Sequence, residues 1–322
     1  MKLSELGEFG LISRISEITG EAGDGELWIG DDSAVIRAPA GTLFFAADMM
    51  VERVHFDLEL TGPRDLGYKS MAVNFSDIAA MGGTPRRAVC SLALRPELTV
   101  EWVLELYEGM QECASEFSAA VVGGDVAAAG CLVVSISVIG NPAGRRVIER
   151  KGARPGDLIG VTGVLGASAA GYRMLRAGDR SRPEFVNAHL RPTPRVREAE
   201  TLRRHVPTAM IDISDGFAAD LVKLCSASGV GARVTAEKIP LIQNPDVDRT
   251  PIELALHGGE DYELCFTISP RHAEEAAAEV EKGTGTPVTF VGEITDAETE
   301  VLISVKGQES KLEGKGWDHL RA

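Results

Sequence analysis

The chain has 322 residues, of which 44% are hydrophobic and 25% charged, and it carries a net charge of −15. That length holds two ordinary domains with full cores. That charge excludes recruitment to nucleic acid or an anionic membrane by the overall field, so a phosphate ligand would need cations or local basic residues.

The chain begins with a polar segment, Gly-rich near residue 30, leading to the turn Gly30-Asp31-Asp32. No apolar signal region is expected there. Ser33–Arg37 and Thr42–Ala47 read as strands, the second ending at Asp48. Pro63 can open a helix, which runs toward the stop signal Gly82-Gly83 with Leu66, Val73 and Met81 among its apolar positions. Arg87–Arg95 alternates as a strand. Thr99 suits an N-cap for a helix to about Phe117, with Val103, Tyr107, Met110 and Ala114 at helical spacing. Ala119–Val122 reads as a short buried strand ending in Gly123-Gly124-Asp125, and Cys131–Ile139 as another. The longest apolar run, Leu132–Gly140, is too short to span a bilayer.

This half therefore reads as an α/β sandwich. Gly140–Gly144 is the linker candidate, giving expected domains 1–144 and 145–322. In the second half, Asp157–Thr162 reads as a strand and a helix follows from about Ala167. Residues 178–194, rich in Pro, Arg and Asp, read as a surface connection. Arg195–His205 is helical by pattern. Ala209–Ile213 is a strand broken at Ser214-Asp215-Gly216, with a helix to Ser228. Gly258-Gly259-Glu260-Asp261 precedes the strand Tyr262–Ile268. Glu274–Lys282 reads as a helix, and Val288–Ile294 and Val301–Val305 as strands. The fold class is thus α/β, in two domains.

The breaks in this pattern collect acids: Asp31, Asp32, Asp48, Asp77, Asp125, Asp212, Asp215, Glu260 and Asp261. Asp77 lies in an otherwise apolar stretch with Phe75, Ile78 and Ala79, where a charge needs a partner. Strand ends in α/β domains converge on one edge, where ligands bind. Carboxylates meeting there repel one another unless cations lie between them, and an all-oxygen set suits Mg²⁺. The six histidines are scattered and the five cysteines (Cys90, Cys113, Cys131, Cys225, Cys265) are widely spaced. That spacing excludes a zinc cluster and indicates reduced core thiols in a cytoplasmic protein.

Glycines at Gly30, Gly123-Gly124 and Gly258-Gly259 sit directly before acids, where bare backbone can approach a phosphate. No Walker A loop and no G-x-G-x-x-G after a strand occurs. Acids, glycine turns and few basic residues together suggest a nucleotide bound through metal ions and a phosphoryl transfer. Spacing alone does not identify the acceptor.

Eight segments carry a resemblance to a known family: Ile29-Gly30-Asp31-Asp32, Val54-His55-Phe56, Tyr68-Lys69-Ser70 through Gly82, Gly123-Gly124-Asp125, Arg154-Pro155-Gly156-Asp157, His189-Leu190-Arg191-Pro192, Ile211–Gly216 and Gly258–Leu264. In this order they resemble the thiamine-monophosphate kinases, members of a superfamily with aminoimidazole ribonucleotide synthetase and selenophosphate synthetase. The likeness runs from Gly7-Glu8-Phe9 to Trp317-Asp318-His319.

The resemblance implies an N-terminal α/β domain whose mixed sheet pairs with its twin into a barrel across a homodimer, and a C-terminal α/β domain. It implies ATP-dependent conversion of thiamine monophosphate to thiamine diphosphate with several Mg²⁺ ions. By position it makes Asp32, Asp48, Asp77, Asp125, Asp212 and Asp215 metal ligands. Ala46 and Ala47 stand where the family carries hydroxyl residues, so only their backbone carbonyls remain for a metal. Tyr107, Gly124, Asp125, Arg150 and Ser214 match nucleotide contacts, and His55, Glu260 and Trp317 match the thiamine-phosphate site. A thiazolium suits an indole face and a carboxylate. The attacking phosphate oxygen is already ionised, so no catalytic base is assigned. Selenophosphate synthetase would want a Cys near the N-terminal arm and a hydrogenase-maturation relative a C-terminal Cys; the first cysteine here is Cys90 and the chain ends Leu320-Arg321-Ala322. A catalytically silent nucleotide- or thiamine-phosphate-binding protein is the remaining alternative, and the intact acid set weighs against it.

Overall fold

The computed structural model describes residues 14–15, 17–19, 42–142 and 147–314. Asp31, Asp32, the expected strand Ser33–Arg37 and Trp317 lie outside the described residues. Two compact units divide the rest. The first runs to Ile78 and resumes at Thr84–Pro142; the second takes Ala79–Gly83 and the chain after Pro142.

In the first unit, strands β1 (Phe44–Val51), β2 (Gly83–Leu94), β3 (Ala120–Ala128) and β4 (Val133–Pro142) carry helices α1 (Pro63–Ala80) and α2 (Val100–Glu116). The sheet order is β1-β4-β2-β3. β1 and β4 run antiparallel. β2 and β3 run parallel, as the α2 crossover between them demands. Period-2 alternation sends Ala88, Cys90, Leu92, Val134, Ile136 and Val138 into the core. The opposite face carries exposed Phe45, Met49 and Val89.

Helix α1 is buried from Leu66 to Ala80 at every position except Asp77. A helix buried on nearly all sides belongs inside a fold, and two of its polar side chains bond back to the helix's own carbonyls. Ser70 Oγ donates to Leu66 O (2.7 Å), and Asn74 Nδ2 donates to Ser70 O (2.9 Å). Backbone approaches backbone where α1 meets α2: a Cβ on Gly67 would fall 1.9 Å from Leu106 O, and one on Gly109 1.9 Å from Arg64 O. Thr99 caps α2 as expected, accepting from Trp102 N (3.2 Å).

In the second unit, β5 (Leu158–Thr162), β6 (Ala209–Asp212), β7 (Gly231–Thr235), β8 (Leu264–Ile268), β9 (Val288–Thr295), β10 (Val301–Val305) and β11 (Gln308–Lys311) form one sheet. Its order is β11-β10-β7-β9-β5-β8-β6, with β7/β10 parallel and the other reported pairs antiparallel. Helices α3 (Ala167–Arg176), α4 (Pro183–Leu190), α5 (Val196–Leu202), α6 (Phe217–Ser228), α7 (Pro251–His257) and α8 (Pro270–Thr284) accompany it. Phe217, Leu221 and Leu224 of α6 join Ile159, Val161, Val234 and Val291 of the strands in one apolar core.

The structure corrects four expectations. β1 continues through Asp48 to Val51 instead of ending there, because Met49-Met50-Val51 extends the strand. β3 continues through Gly123-Gly124-Asp125, because pairing with β2 holds the glycines extended. Residues 178–194 contain α4: Pro183 occupies its first turn, and Phe185, Val186, His189 and Leu190 bury one face. Met81 follows the end of α1 and is 38% exposed. β7 and α7 have no counterpart in the sequence reading, although Thr250-x-x-Glu253 is a complete capping box of the kind that marks a helix start. Among the described residues, no helix is long and apolar enough to cross a membrane.

Candidate active site

Strand β6 ends at Asp212, which is buried, and the chain enters Ile213-Ser214-Asp215-Gly216. Three backbone hydrogen bonds tie this turn to the segment before β8. Ile213 N donates to Glu263 O (2.7 Å), Tyr262 N to Ile213 O (2.9 Å) and Glu260 N to Ser214 O (2.8 Å). The pairing of Asp212 with Leu264 thus continues past the strand ends. Gly259 has φ +70°, and a Cβ there would fall 2.7 Å from Ser214 O. Only glycine permits that crossing without strain. Glu260 and Tyr262 also hold left-handed backbone, at φ 58° and 52°, a conformation that persists in side-chain-bearing residues where the surroundings enforce it. The metal candidates Asp212 and Asp215, the nucleotide candidate Ser214 and the substrate candidate Glu260 therefore share one locus.

The acids around this crossing play different parts. Lys223 of α6 pairs with Asp215 and with Asp220 (2.7 Å to the latter). Asp220, fully buried, also accepts from Asp215 N (2.9 Å). Burial pushes the Asp220 carboxyl up, opposed by the Lys223 ammonium. Burial works against that ammonium too, yet its hydrogen bonds to Asp215 and Asp220 outweigh it and raise its pKa. Asp261 fastens the start of α3. It accepts from Gly166 N (2.8 Å) and Ser168 N (3.2 Å) at the start of α3, where a carboxylate complements the helix N-terminus. Burial nonetheless pushes its carboxyl up to about 7.

Glu263 is structural. Arg195 grips it with Nε (2.7 Å) and Nη2 (2.5 Å), and Thr162 Oγ1 donates to it at 2.6 Å. Burial pushes the Glu263 carboxyl up, while Arg195 and Thr162 pull it down. Gly163 leaves room for this pair: a Cβ there would meet Glu263 Oε1 at 2.1 Å. Glu260 faces His189 of α4, whose Nδ1 lies 3.3 Å from Glu260 Oε2 and 3.1 Å from Ser168 Oγ. Sequence reasoning gave no role to His189, Ser168, Lys223, Asp220 or Arg195. The His189-Leu190-Arg191-Pro192 segment was the one available signal among them. Arg150 is exposed, and its carbonyl accepts from Ser228 Oγ at 3.4 Å.

The first unit presents its own acids on separate elements. Asp48 is exposed in the middle of β1, and its N–H donates to Asn74 Oδ1 of α1 (2.9 Å). Asp77 lies three residues further along α1, at the position where the helix is half-buried. Ala46 and Ala47 pair with Val138 and Ser137 of β4. Gly124 and Asp125 are exposed on β3, the opposite edge strand from β1. The bareness of Gly124 serves packing, since a Cβ would lie 1.9 Å from Cys90 O. His55 closes the turn after β1, its Nδ1 accepting from Val51 N (3.0 Å), so the ring proton sits on Nε2. Tyr107 is 3% exposed and hydrogen-bonds to Cys90, so it offers no open ring face for stacking. Glu52, which the sequence did not single out, ties three strand ends: it accepts from Arg95 Nη1 (2.7 Å) and Leu132 N (3.0 Å). Cys131 is exposed and the other four cysteines are buried, none of them in a disulfide.

Among the described residues, no group of three or more His, Cys, Asp or Glu side chains is arranged to hold a metal ion. The donors are all carboxylates, with a cation already seated as Lys223 against Asp215 and Asp220. That oxygen chemistry fits a hard divalent ion.

Residues 30–141 match the family model described as AIR synthase related protein, N-terminal domain, and residues 154–304 match the C-terminal domain of the same name. Fold and site thus define a two-domain protein of the AIR synthase-related class. The thiamine-monophosphate kinase of Bacillus subtilis (strain 168) is 35% identical over 328 residues, covering 98% of this chain and 100% of that one. A solved thiamine-monophosphate kinase from Stenotrophomonas maltophilia K279a superposes with a TM-score of 0.82 at 33% identity, covering 94% of this chain and 98% of that one. AaThiL complexed with AMPPCP and TMP gives 0.77 at 33% identity, covering 99% of both chains. The chain belongs to the thiamine-monophosphate kinase family.

The Arg195–Glu263 pair makes a prediction about stability. Arg195→Met should destabilise the protein by about 3 kcal/mol, because it leaves a buried carboxylate without its cation. The variant's Glu263 would hold its proton to a higher pH than in the unfolded chain. The loss should therefore be smallest near pH 5 and grow toward pH 8. Urea titrations of both proteins across that range measure it; a pH-independent difference would contradict the assignment.

Proposed function

We propose that this protein transfers the γ-phosphoryl group of ATP to thiamine monophosphate, giving thiamine diphosphate and ADP. The observation that carries the reading is the crossing of Ser214 and Glu260, which joins a nucleotide candidate to a substrate candidate by one backbone hydrogen bond of 2.8 Å. AMPPCP has a methylene bridge in place of the β,γ-oxygen of ATP, and AaThiL binds it together with TMP. That pairing supports direct transfer between two bound substrates.

In the proposed step, an ionised phosphate oxygen of thiamine monophosphate attacks the γ-phosphorus. A new P–O bond forms as the β,γ-bridge bond breaks, and its electron pair leaves on ADP. The second phosphate pKa of a monoester is about 6, so the nucleophile needs no base. Glu260, held in a fixed backbone conformation, would orient the acceptor through its cationic end, with His55 and Trp317 as further contacts. Ser214, Gly124 and Arg150 would position the nucleotide. Asp48, Asp77 and Asp125 of the first unit and Asp212 and Asp215 of the second are the candidates for holding Mg²⁺, with Asp32 carried over by resemblance. When bound, Mg²⁺ supplies the neutralising charge that a chain of net charge −15 lacks. Lys223 would then have to share Asp215 with the incoming ion. The cytoplasm, with its ATP and reducing conditions, suits unpaired thiols.

A homodimer is part of the same proposal. One face of the first sheet exposes the apolar side chains Phe45 (72%) and Met49 (55%), and exposed apolar groups of this size mark a contact surface. A second copy would cover it and complete a barrel. Light scattering should return twice the 34.3 kDa chain mass; a monomer at micromolar concentration would remove this part.

Incubation with ATP, Mg²⁺ and thiamine monophosphate should yield thiamine diphosphate and ADP, with EDTA abolishing turnover. Absence of product across a range of Mg²⁺ would refute the kinase reading. Asp77→Asn should lose at least about a hundredfold in kcat while its circular dichroism stays native. Near-normal turnover would make Asp77 a surface acid of an otherwise buried helix.

A further inference from the structure

We infer that His189 is a positioning residue for acceptor recognition: it holds the Glu260 carboxylate in its binding orientation. This rests on the reading of Glu260 as an acceptor contact. His189 projects from α4 and is 6% exposed. Its Nδ1 stands 3.3 Å from Glu260 Oε2 and 3.1 Å from Ser168 Oγ. The other side of the arrangement is equally constrained. Ser168 N donates to Asp261, the residue after Glu260, at 3.2 Å. One turn of backbone, Glu260-Asp261, is therefore clasped twice by the start of α3, directly through Asp261 and through His189 for Glu260.

The helices that bring His189 there cannot slide apart. A Cβ on Gly171 of α3 would fall 2.0 Å from Phe185 O of α4, so their backbones are in contact. The ring of Tyr172, itself 45% exposed, packs tilted against His189 at 5.3 Å between centroids. The backbone of Glu260 is fixed from beneath by Ser214 O, at φ 58°. Backbone fixation leaves the side-chain torsions to be set, and the imidazole stands where it can set them. A carboxylate fixed in this way binds a cationic acceptor without losing rotamer freedom on association. His189 acts on the acceptor alone, because the nucleotide candidate Ser214 and the metal candidate Asp215 lie on the other side of the crossing hydrogen bond.

The test is steady-state kinetics of the full chain with His189→Leu, His189→Asn, Ser168→Ala, Glu260→Gln and the Glu260→Gln/His189→Leu double variant. Removing the imidazole that contacts the Glu260 carboxylate should raise the thiamine monophosphate KM roughly tenfold in His189→Leu. The ATP KM should stay within about twofold. His189→Asn, whose amide nitrogen stands near the place of Nδ1, should recover most of the loss. The double variant should be no worse than Glu260→Gln. Ser168→Ala, which loosens the imidazole without emptying its site, should raise the same KM about threefold and serves if His189→Leu misfolds. Equal losses in His189→Leu and His189→Asn, or a parallel rise in both KM values, would overturn the inference. If Glu260→Gln leaves the acceptor KM unmoved, the assignment of Glu260 itself falls, and the inference with it. If Glu260→Gln raises it and neither His189→Leu nor Ser168→Ala does, the inference alone falls.

Discussion

A single hydrogen bond, from the N–H of Glu260 to the carbonyl of Ser214 at 2.8 Å, is the constraint on which the second unit's site depends. It exists because Gly259 has no side chain to collide with that carbonyl. Two turns far apart in sequence become one piece of structure. β6 delivers Asp212, Ser214 and Asp215 to one side, and the approach to β8 delivers Glu260 to the other. Pairing of β6 with β8 anchors both from behind. Positioning of this kind is what phosphoryl transfer asks of a protein, because the chemistry itself requires no covalent help.

The surrounding charges keep that piece in shape. Arg195 and Thr162 neutralise Glu263 within the core, and Asp261 fastens the start of α3. Lys223 stands against Asp215 and Asp220. An acidic protein with an acidic substrate has an electrostatic problem, and internal cations answer it for Glu263, Asp220 and Asp215. Of the acids proposed for Mg²⁺, Asp48 and Asp125 lie exposed on the edge strands of a sheet and Asp77 where a buried helix meets the outside, whereas Asp212 is buried and Asp215 is paired with Lys223.

Much of this was legible in the sequence. Periodicity locates α1, α2 and most strands, and the acids beside glycines mark the two breaks, Ser214-Asp215-Gly216 and Gly258–Asp261, that the structure brings together. What the sequence hid has physical causes. Gly-Gly-Glu-Asp-Tyr-Glu-Leu reads as one motif, yet its acids divide three ways. Glu260 faces His189, Asp261 caps a helix and Glu263 is buried against Arg195. That division depends on partners roughly 70 to 95 residues away, which no local pattern encodes. Acids and glycines at Asp48 and Gly123-Gly124-Asp125 are ordinary strand terminators in sequence, whereas ladder pairing carries β1 and β3 through them. Helix α4 was masked by Pro, Arg and Asp residues flanking an apolar face of only four side chains. Tyr107 had the right helical register but the wrong exposure, being committed to Cys90 and the core.

The most direct measurement is the kinetics of Gly259→Ala for both substrates. An added methyl would push Ser214 and Glu260 apart and so disturb nucleotide and acceptor together. With the far-ultraviolet circular dichroism unchanged, kcat/KM for ATP and for thiamine monophosphate should each fall by roughly a hundredfold. A variant that retains normal kcat/KM for either substrate would contradict the claim that one backbone crossing holds both sides of the site.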